Sequence, residues 1–283
     1  MSESQPLDGI RTQAGEAHKV IAMLCEGVGV RAISRLTGLD QQTVLRILES
    51  AGEHCVRLLD EKIRNLKVES CQCDEIYSFV HCKEGNNKSK NPEWGEQYTF
   101  LAVDRKTKLI LSYHTAKREP GNADDFMRDL HQRINGDCQI TTDGFRGYIP
   151  AVSRTFGRDA NFAQQTKIYS MRMPMPKRMR HELKPQGVLE VRTRIRSGNC
   201  DRSLISTSHV ERTNLSIRLF NRRFTRLTLG FSKRIENLQF SLALLFAHFN
   251  FCRIHSAHGK TPAQAAGLTD HQWTIDEMLT MGN

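Results

Sequence analysis

The sequence predicts an α/β protein in which a mixed β-sheet is covered by helices and is preceded by a small all-α domain. Residues 1–67 carry apolar side chains at the three- and four-residue spacing of helices, whereas residues 68–255 alternate β-branched and aromatic segments with helical ones. A chain of 283 residues can bury the cores of both parts without a disulfide or a structural metal. We therefore place a domain boundary near Lys67 and treat residues 256–283 as a C-terminal tail.

The N-terminal part is predicted to contain three helices joined by tight turns. The second helix is short, with Ile33 and Leu36 predicted to face inward, and Gly38 ends it because glycine readily adopts the left-handed conformation. Asp40 can cap the third helix, which continues as a polar, amphipathic segment toward Lys67. A short helix, a glycine turn and a capped helix in this order indicate a helix-turn-helix unit.

The third helix of a helix-turn-helix unit enters the major groove of DNA with its N-terminal side chains on base edges. The residues predicted to contact bases are therefore Gln41, Gln42, Thr43 and Arg46. The alternative is a three-helix packing module without DNA contact, because the same turn occurs in ordinary helical hairpins.

Positive charge is concentrated in less than a third of the chain. The formal net charge is +10, yet residues 153–234 alone contain 19 Lys or Arg and five acids, a net charge of +14. Such an excess is typical of a surface that neutralises phosphates and releases their counterions, so a nucleic acid is the predicted partner. A solvated basic surface without a partner is the alternative.

The second part begins with three predicted strands, followed by helix, strand, helix and strand. The strands cover residues 68–80, 97–103, 109–114, 137–142 and 162–169, and the helices cover residues 122–134 and 147–156. Parallel strands in one sheet need a crossover, usually a helix, to connect them. This order therefore predicts a mixed sheet with helices on its faces.

Three acidic residues occupy positions suited to a metal site. Asp74 lies within the first predicted strand, Asp143 follows the fourth, and Glu211 lies on a predicted helix in SHVERTNLSIRLF. Carboxylates from two neighbouring strands and a helix can converge and hold one or two hard divalent cations. Taken singly, Asp143 could form a turn with Gly144, and Glu211 could be a surface acid. Glu75 is predicted to face the opposite side of the sheet from Asp74 and to be a poor ligand.

The segments CDEIYSFV, TTDGFRGY and SHVERTNLSIRLFNRRFTRLTLGFSK resemble, in order, the catalytic segments of bacterial insertion-sequence-one transposases, which belong to the DDE transposase and integrase superfamily. The resemblance covers about residues 66–248 and includes a D-R-x-T turn after the second predicted strand. It implies a ribonuclease-H-like catalytic core in which Asp74, Asp143 and Glu211 bind metal. Mg²⁺ is the predicted cofactor, and Mn²⁺ can substitute, because all the ligands are hard oxygens.

The resemblance implies a transposase that binds the ends of its own insertion sequence, frees a 3′ hydroxyl by hydrolysis and joins it to target DNA. Two metal ions would assist the in-line displacement, so no nucleophilic side chain is assigned. Double-stranded DNA is the substrate, rather than a small molecule, and two ends must be processed together, which predicts a homo-oligomer. Phosphate contacts beside the metals are predicted for arginines at and beyond the Glu211 helix: Arg212, Arg218, Arg222, Arg223 and Arg226.

Two features depart from the family pattern. Residues 144–210 form a 67-residue interval between the second and third acids, longer than in the best-known members, so a basic insertion is expected at about residues 171–206. The sequence assigns no fold to it. The zinc-finger motif of some members is absent, which shifts recognition of DNA ends to the helix-turn-helix. Two alternatives stay open: an inactive or regulatory DNA-binding protein, such as a repressor or decayed transposase, and a nuclease that cuts without strand transfer.

Membrane and secreted classes do not fit the sequence. The longest apolar stretch, residues 240–251, is far shorter than the roughly 20 residues that span a bilayer. The N-terminus lacks a basic start and an apolar signal core, and eight Cys without a CxxC pair favour reduced thiols. We therefore expect a cytoplasmic protein that lies on the nucleoid when bound to DNA. Zinc bound by Cys71, Cys73, Cys82 and the nearby His81 is a minor alternative, because the C-x-C spacing places two of the thiols on one strand face.

Overall fold

The computed structural model of the chain describes residues 7, 10, 12–169, 187–226 and 228–281. Its first three helices are α1 (Ala14–Cys25), α2 (Val30–Thr37) and α3 (Gln41–Lys62). Gly38 ends α2 with a φ of +76°, and the Asp40 carboxylate accepts a hydrogen bond from the Gln42 backbone N at 2.8 Å. The predicted glycine turn and helix cap are thus confirmed, and the polar segment after the cap belongs to the same long helix.

One inward-facing residue of α2 was predicted wrongly. Ile33 is fully buried, but Leu36 is 72% exposed. Helix α2 has about two turns and packs against α1 and α3 through the side that carries Ile33. Leu36 lies on the final turn, just before Gly38 redirects the chain. A helix this short buries one narrow stripe rather than a broad face.

Within the described ranges, six strands form one mixed sheet, which confirms the predicted fold class at this level. The strands are β1 (Ser70–Val80), β2 (Gly95–Asp104), β3 (Ile110–Ala116), β4 (Gln139–Thr142), β5 (Phe162–Tyr169) and β6 (Val188–Ser197). They lie in the order β3-β2-β1-β4-β5-β6. The first three strands are antiparallel neighbours, β4 is parallel to both β1 and β5, and β6 is antiparallel to β5.

Strand β6 belongs to the expected insertion at residues 171–206, for which the sequence assigned no fold. It extends the sheet by pairing with β5 from Phe162↔Ser197 to Tyr169↔Val188. The first part of the insertion, residues 171–186, lies outside the described residues. The described part therefore adds an edge strand to the sheet and then leads to the helix that carries Glu211.

Six further helices follow along the described part of the chain. They are α4 (Pro120–Arg133), α5 (Tyr148–Phe156), α6 (Ser208–Phe220), α7 (Ile235–Ala247), α8 (Pro262–Ala265) and α9 (Ile275–Thr280). Helices α4 and α6 pack directly on the sheet, whereas α7 packs mainly against α3. Helix α4 connects β3 to β4, and α5 connects β4 to β5, as the crossover of parallel strands requires. None of the helices in the described ranges combines the length and apolar character needed to cross a lipid bilayer.

Helices α3 and α7 pack closely, so the core of the N-terminal helices is continuous with the core beside the sheet. Gly52 makes this approach possible, because a Cβ at this position would lie 2.4 Å from Cβ of Phe240. Helix α7 continues as a π-helix through His248–Cys252, which directs Asn250 toward β3. The fully buried Asn250 amide accepts from the Ile110 backbone N at 2.9 Å and donates to its O at 3.0 Å. Asn250 thus satisfies both backbone groups of Ile110, on the edge strand of the sheet.

Candidate active site

A cleft opens where β4 ends before its neighbours. The pairing of β4 with β1 ends at Cys73↔Thr142, and its pairing with β5 ends at Thr142↔Gln164. Strands β1 and β5 continue past these points, so the space between them is left without a strand. The result is a cavity of about 760 Å³, which we call the acidic cleft because four carboxylates line it: Asp74, Glu75, Asp143 and Glu211.

Three of these carboxylates form a tight cluster. One oxygen each from Asp74, Glu75 and Asp143 lie within 4.8 Å of one another. Asp74 and Glu75 are consecutive on β1, and Asp143 directly follows the last residue of β4. Among the described residues, this is the one group of three or more His, Cys, Asp or Glu side chains arranged closely enough to share a metal ion.

Glu75 was predicted to face away from Asp74 and to be a poor ligand. The predicted position was wrong, because the Glu75 carboxylate lies beside those of Asp74 and Asp143. Side chains of consecutive strand residues do leave the backbone on opposite faces. Here, however, β4 has already ended at Thr142, so no neighbouring strand separates the two faces on that side of β1. The longer Glu75 side chain reaches Asp143 through this gap and remains only 3% exposed.

Glu211 lines the same cleft from α6 but makes different contacts. It lies in the first turn of α6, where its carboxylate accepts from the Thr207 hydroxyl at 2.8 Å and pairs with Lys167 of β5. Within the described part of the chain, its carboxylate stands outside the three-carboxylate cluster. Its charge still acts on Asp74, whose pKa it helps to raise.

Gln72 fixes the position of the helix that carries Glu211. Its buried side-chain Oε1 accepts hydrogen bonds from the backbone N atoms of His209 at 2.8 Å and Val210 at 3.2 Å. These N–H groups belong to the first turn of α6 and have no partner within the helix. A side chain of β1, two residues before Asp74, therefore sets where the first turn of α6 meets the cleft.

Asn214 connects α6 directly to the carboxylate cluster. Its Nδ2 donates to Asp74 Oδ2 at 2.9 Å, and its Oδ1 is buried with no hydrogen-bond partner in the described residues. Glu211, Asn214 and Arg218 are spaced three and four residues apart, so they lie on one helix face, and all three line the cleft. The same spacing is visible in the sequence and could have identified Asn214 as a site residue.

Arg118 holds the carboxylates together from the other side. Its Nη2 lies 3.0 Å from Glu75 Oε2 and 3.4 Å from Asp143 Oδ2. The guanidinium carbon lies 4.4 Å from the centre of the Phe145 ring, a cation–π contact that keeps it in place. Arg118 lies in the loop between β3 and α4, and no sequence pattern singled it out.

The acidic cluster is electrostatically strained without a cation. Burial, followed by the charge of Asp143, raises the pKa of both Asp74 and Glu75 to about 7. Burial also raises the pKa of Asp143. Glu75 Oε1 is buried and lacks a hydrogen-bond partner in the described residues. A donor set made only of carboxylate oxygens, one of them unsatisfied, fits a hard divalent cation such as Mg²⁺.

The raised pKa values predict how stability depends on pH in the metal-free protein. A carboxyl group with a higher pKa in the folded state stabilises the fold at low pH, and this contribution is lost as pH rises toward 7. In thermal or urea unfolding with EDTA, Asp74 and Glu75 should therefore contribute a loss of stability between about pH 4 and pH 7, which is added to the opposite contribution of His248, whose pKa burial lowers to about 4. Burial is the main cause of both raised pKa values and the charge of Asp143 adds to it, so Asp143→Asn should show a smaller loss of stability over this range than the natural chain.

Divalent cations should reduce the loss of folding stability that the carboxylates cause at the higher pH values. Mg²⁺ is expected to raise the unfolding temperature of the natural chain at pH 8 more than at pH 5, because a ligand that binds only the folded state stabilises it. An identical pH dependence in the natural chain and Asp143→Asn would contradict the assigned cause.

The arginines predicted to contact phosphates do not form a single cluster. Arg218 is half-buried in the cleft, and burial, together with the charge of Arg226, lowers its pKa. Arg223 donates from Nε to the Ser232 hydroxyl at 2.8 Å, and burial lowers its pKa to about 10. The other three are exposed: Arg212, Arg222 and Arg226. Of the five, only Arg218 lines the cleft in the described residues.

The residues predicted to contact DNA bases lie in the first two turns of α3. Gln41, Gln42 and Arg46 are exposed, and Thr43 is half-buried. Val44, between them, is fully buried against the helical core. The predicted base-reading side chains therefore face outward from a rigidly packed helix.

No protein-family model matches the chain, and no curated protein matches it. The chain is similar to a solved structure of a piggyBac transposase synaptic complex with hairpin DNA. The two chains share 11% sequence identity with a TM-score of 0.42, and the similarity covers 91% of this chain and 70% of that chain. These comparisons assign the chain to no family.

Proposed function

We propose that the chain is a DNA transposase of the DDE type. It binds the ends of an insertion sequence, hydrolyses a phosphodiester there and transfers the freed 3′ hydroxyl to target DNA. The observation that carries this proposal is the meeting of Asp74 from β1, Asp143 from the end of β4 and Glu211 from α6 in one cleft. The sheet, with three antiparallel strands extended by two parallel ones, supports a ribonuclease-H-like core.

Asp74 and Asp143, with Glu211 across the cleft, are the proposed ligands of Mg²⁺, for which Mn²⁺ can substitute. Glu75 belongs to the tight cluster with Asp74 and Asp143, so four carboxylates in all face the cleft. When bound, divalent cations would supply stabilisation of the charge on the attacking and leaving oxygens of the phosphodiester. The protein side chains orient the ligands: Asn214 fixes one oxygen of Asp74, and Arg118 holds Glu75 beside Asp143.

Basic side chains of the cleft suit a polyanionic substrate. Arg218 presents a guanidinium that can form two parallel hydrogen bonds with a phosphate. In the protein without DNA, Lys167 forms an ion pair with Glu211. If a divalent cation binds this carboxylate, the Lys167 ammonium group can contact a DNA phosphate instead. Both side chains would then fix the scissile strand next to the carboxylates.

Recognition of the DNA ends is assigned to the first turns of α3. The proposed base contacts are those of the exposed or half-buried residues Gln41, Gln42, Thr43 and Arg46. Since two ends must be joined to one target, the working form is proposed to be a homo-oligomer on DNA, which size measurement of the complex with paired ends would test.

Cleavage and strand transfer on a labelled duplex carrying the DNA that flanks the coding sequence test the proposal. Cut and joined products are expected with Mg²⁺, and none with EDTA or with Asp143→Asn. The matched control is Asp125→Asn, which removes an exposed acid of α4 that pairs only with Arg128 among the described residues. Release of 3′ ends without joining would identify a nuclease. DNA binding without products in every protein would identify a regulatory protein and overturn the proposal.

A further inference from the structure

A second basic surface lies on the β5–β6 hairpin, beside the acidic cleft. Arg192, Arg194 and Arg196 occupy alternate positions of β6 and all line one cavity of about 230 Å³, together with Arg146 from the loop after β4. We call these four residues the arginine face. None of them was predicted as a functional residue from the sequence.

The arginine face carries excess positive charge in the described part of the chain. Arg192 pairs with Glu190 at 2.8 Å, and Arg196 donates from Nε to the neutral Gln164 side chain at 2.9 Å. Arg194 and Arg146 have no carboxylate partner there. Four exposed guanidinium groups line one cavity, and an anion bound between them would reduce their mutual repulsion.

The cavity of the arginine face adjoins the acidic cleft. Gly144, Arg146 and Thr166 line both. Gly144 allows the loop after β4 to lie close to Thr166 of β5. A Cβ at this position would lie 2.8 Å from Oγ1 of Thr166, a branched side chain with little freedom to move. A chain of phosphates that leaves the carboxylate cluster beside Asp143 can therefore enter the arginine face directly.

The geometry of the face matches a polymer of phosphates better than a single small anion. Alternate residues of a strand are about 6.7 Å apart, so successive arginines can each take a separate phosphate. The planar guanidinium group binds phosphate with two parallel hydrogen bonds. Among the described residues, the lining contains no aromatic ring on which a base could stack, and Ile168 is the one apolar branched side chain there. These features favour contacts with a nucleic-acid backbone rather than with bases.

We propose that the arginine face binds consecutive backbone phosphates of the DNA strand that carries the scissile phosphodiester, next to the position held in the acidic cleft. This inference rests on the proposed function, since it takes the cleft as the place where DNA is cut. The described part of the insertion would then bind the DNA backbone regardless of the base sequence.

The test compares DNA binding of the natural chain with that of a triple variant, Arg192→Gln, Arg194→Gln and Arg196→Gln. The affinity for labelled duplex is measured by fluorescence anisotropy over a series of salt concentrations. The affinity falls as salt rises, and the slope of log affinity against log salt should become less steep by about 2 to 3 when two to three phosphate contacts are lost. At about 0.1 M salt the affinity should fall on the order of 100-fold.

The control variant makes the same change in net charge elsewhere: Arg57→Gln, Arg128→Gln and Arg154→Gln, each from a surface ion pair. It should keep the natural slope within about 1. Arg194→Gln alone, at an exposed position, should lower the slope by about 1 and guards against a folding defect in the triple variant.

Phosphate-ethylation interference locates the contacts. The natural chain should show interference at two or three consecutive phosphates beside the cut, and the triple variant should lose it there. An unchanged slope, or lost interference only at phosphates far from the cut, would overturn the inference while the natural chain still makes products. Absence of both binding and products in the natural chain would instead overturn the proposed function.

Discussion

Asp74→Asn is expected to reduce DNA cleavage and strand transfer on the order of 1,000-fold or more, while DNA affinity stays within about threefold. The substitution keeps the size of the side chain and the position of Oδ1, but it removes the negative charge at the centre of the carboxylate cluster. Asn214 already donates to Asp74 Oδ2, so an amide nitrogen placed there would meet another donor. Quantified products at saturating DNA, over a range of Mg²⁺ concentrations, measure the effect.

The two glutamates of the cleft should respond differently, which separates their roles. Glu211→Gln is expected to cause a loss comparable to that of Asp74→Asn. Glu75→Gln should reduce activity about 10- to 100-fold and weaken apparent Mg²⁺ affinity, because a side chain that mainly orients the ligands contributes less than a ligand itself. Glu75 is bound by Arg118, whereas Glu211 is bound by Lys167, which can move to a phosphate. Full activity of Glu211→Gln would show that Glu75 completes the site instead.

Arg133→Ala is expected to destabilise the protein by about 2–3 kcal/mol. The Arg133 side chain is 10% exposed and forms two hydrogen bonds with Asp129, at 2.7 and 2.8 Å, and one with Asp60 at 3.1 Å. It also donates to the backbone O of Leu59 at 3.1 Å, near the end of α3. Arg133 therefore joins α3 to α4, and its removal takes away the hydrogen bonds that connect the two helices.

Urea unfolding of the metal-free protein at a fixed pH measures this loss. Arg128→Ala is the matched control, because Arg128 lies on the same helix, is 65% exposed and pairs only with Asp125 in the described residues. It should cost no more than about 0.5 kcal/mol. Arg133→Lys should recover only a part of the stability, since an ammonium group cannot reproduce the planar fork that binds Asp129 and the backbone together. Equal stability of Arg133→Ala and Arg128→Ala would contradict the prediction.

Much of the secondary structure was predictable because its signals are local. The β5 range was predicted to the residue, and β1, β2, β3 and β4 within a few residues, because β-branched and aromatic segments bounded by turn residues identify strands without reference to neighbours. Gly38 and Asp40 identified the turn and cap between α2 and α3 for the same reason. Strand β6 was not predicted, because it is rich in arginine and its side chains are almost all exposed. It therefore has no buried apolar face that a sequence pattern could indicate.

The sequence by itself determined the order of the elements other than β6, and it singled out Asp74, Asp143 and Glu211, which line one cleft although Glu211 lies outside the tight cluster of the described residues. The tertiary structure decided which other side chains join them. Glu75 and Arg118 reach the site because β4 ends at Thr142 and leaves a gap beside β1, whereas the alternation of side chains along a strand assumes that the neighbouring strands continue. The sequence predicted that β4 ends at Thr142, but which strands lie beside it depends on how distant segments pair, and no local pattern in the sequence records that.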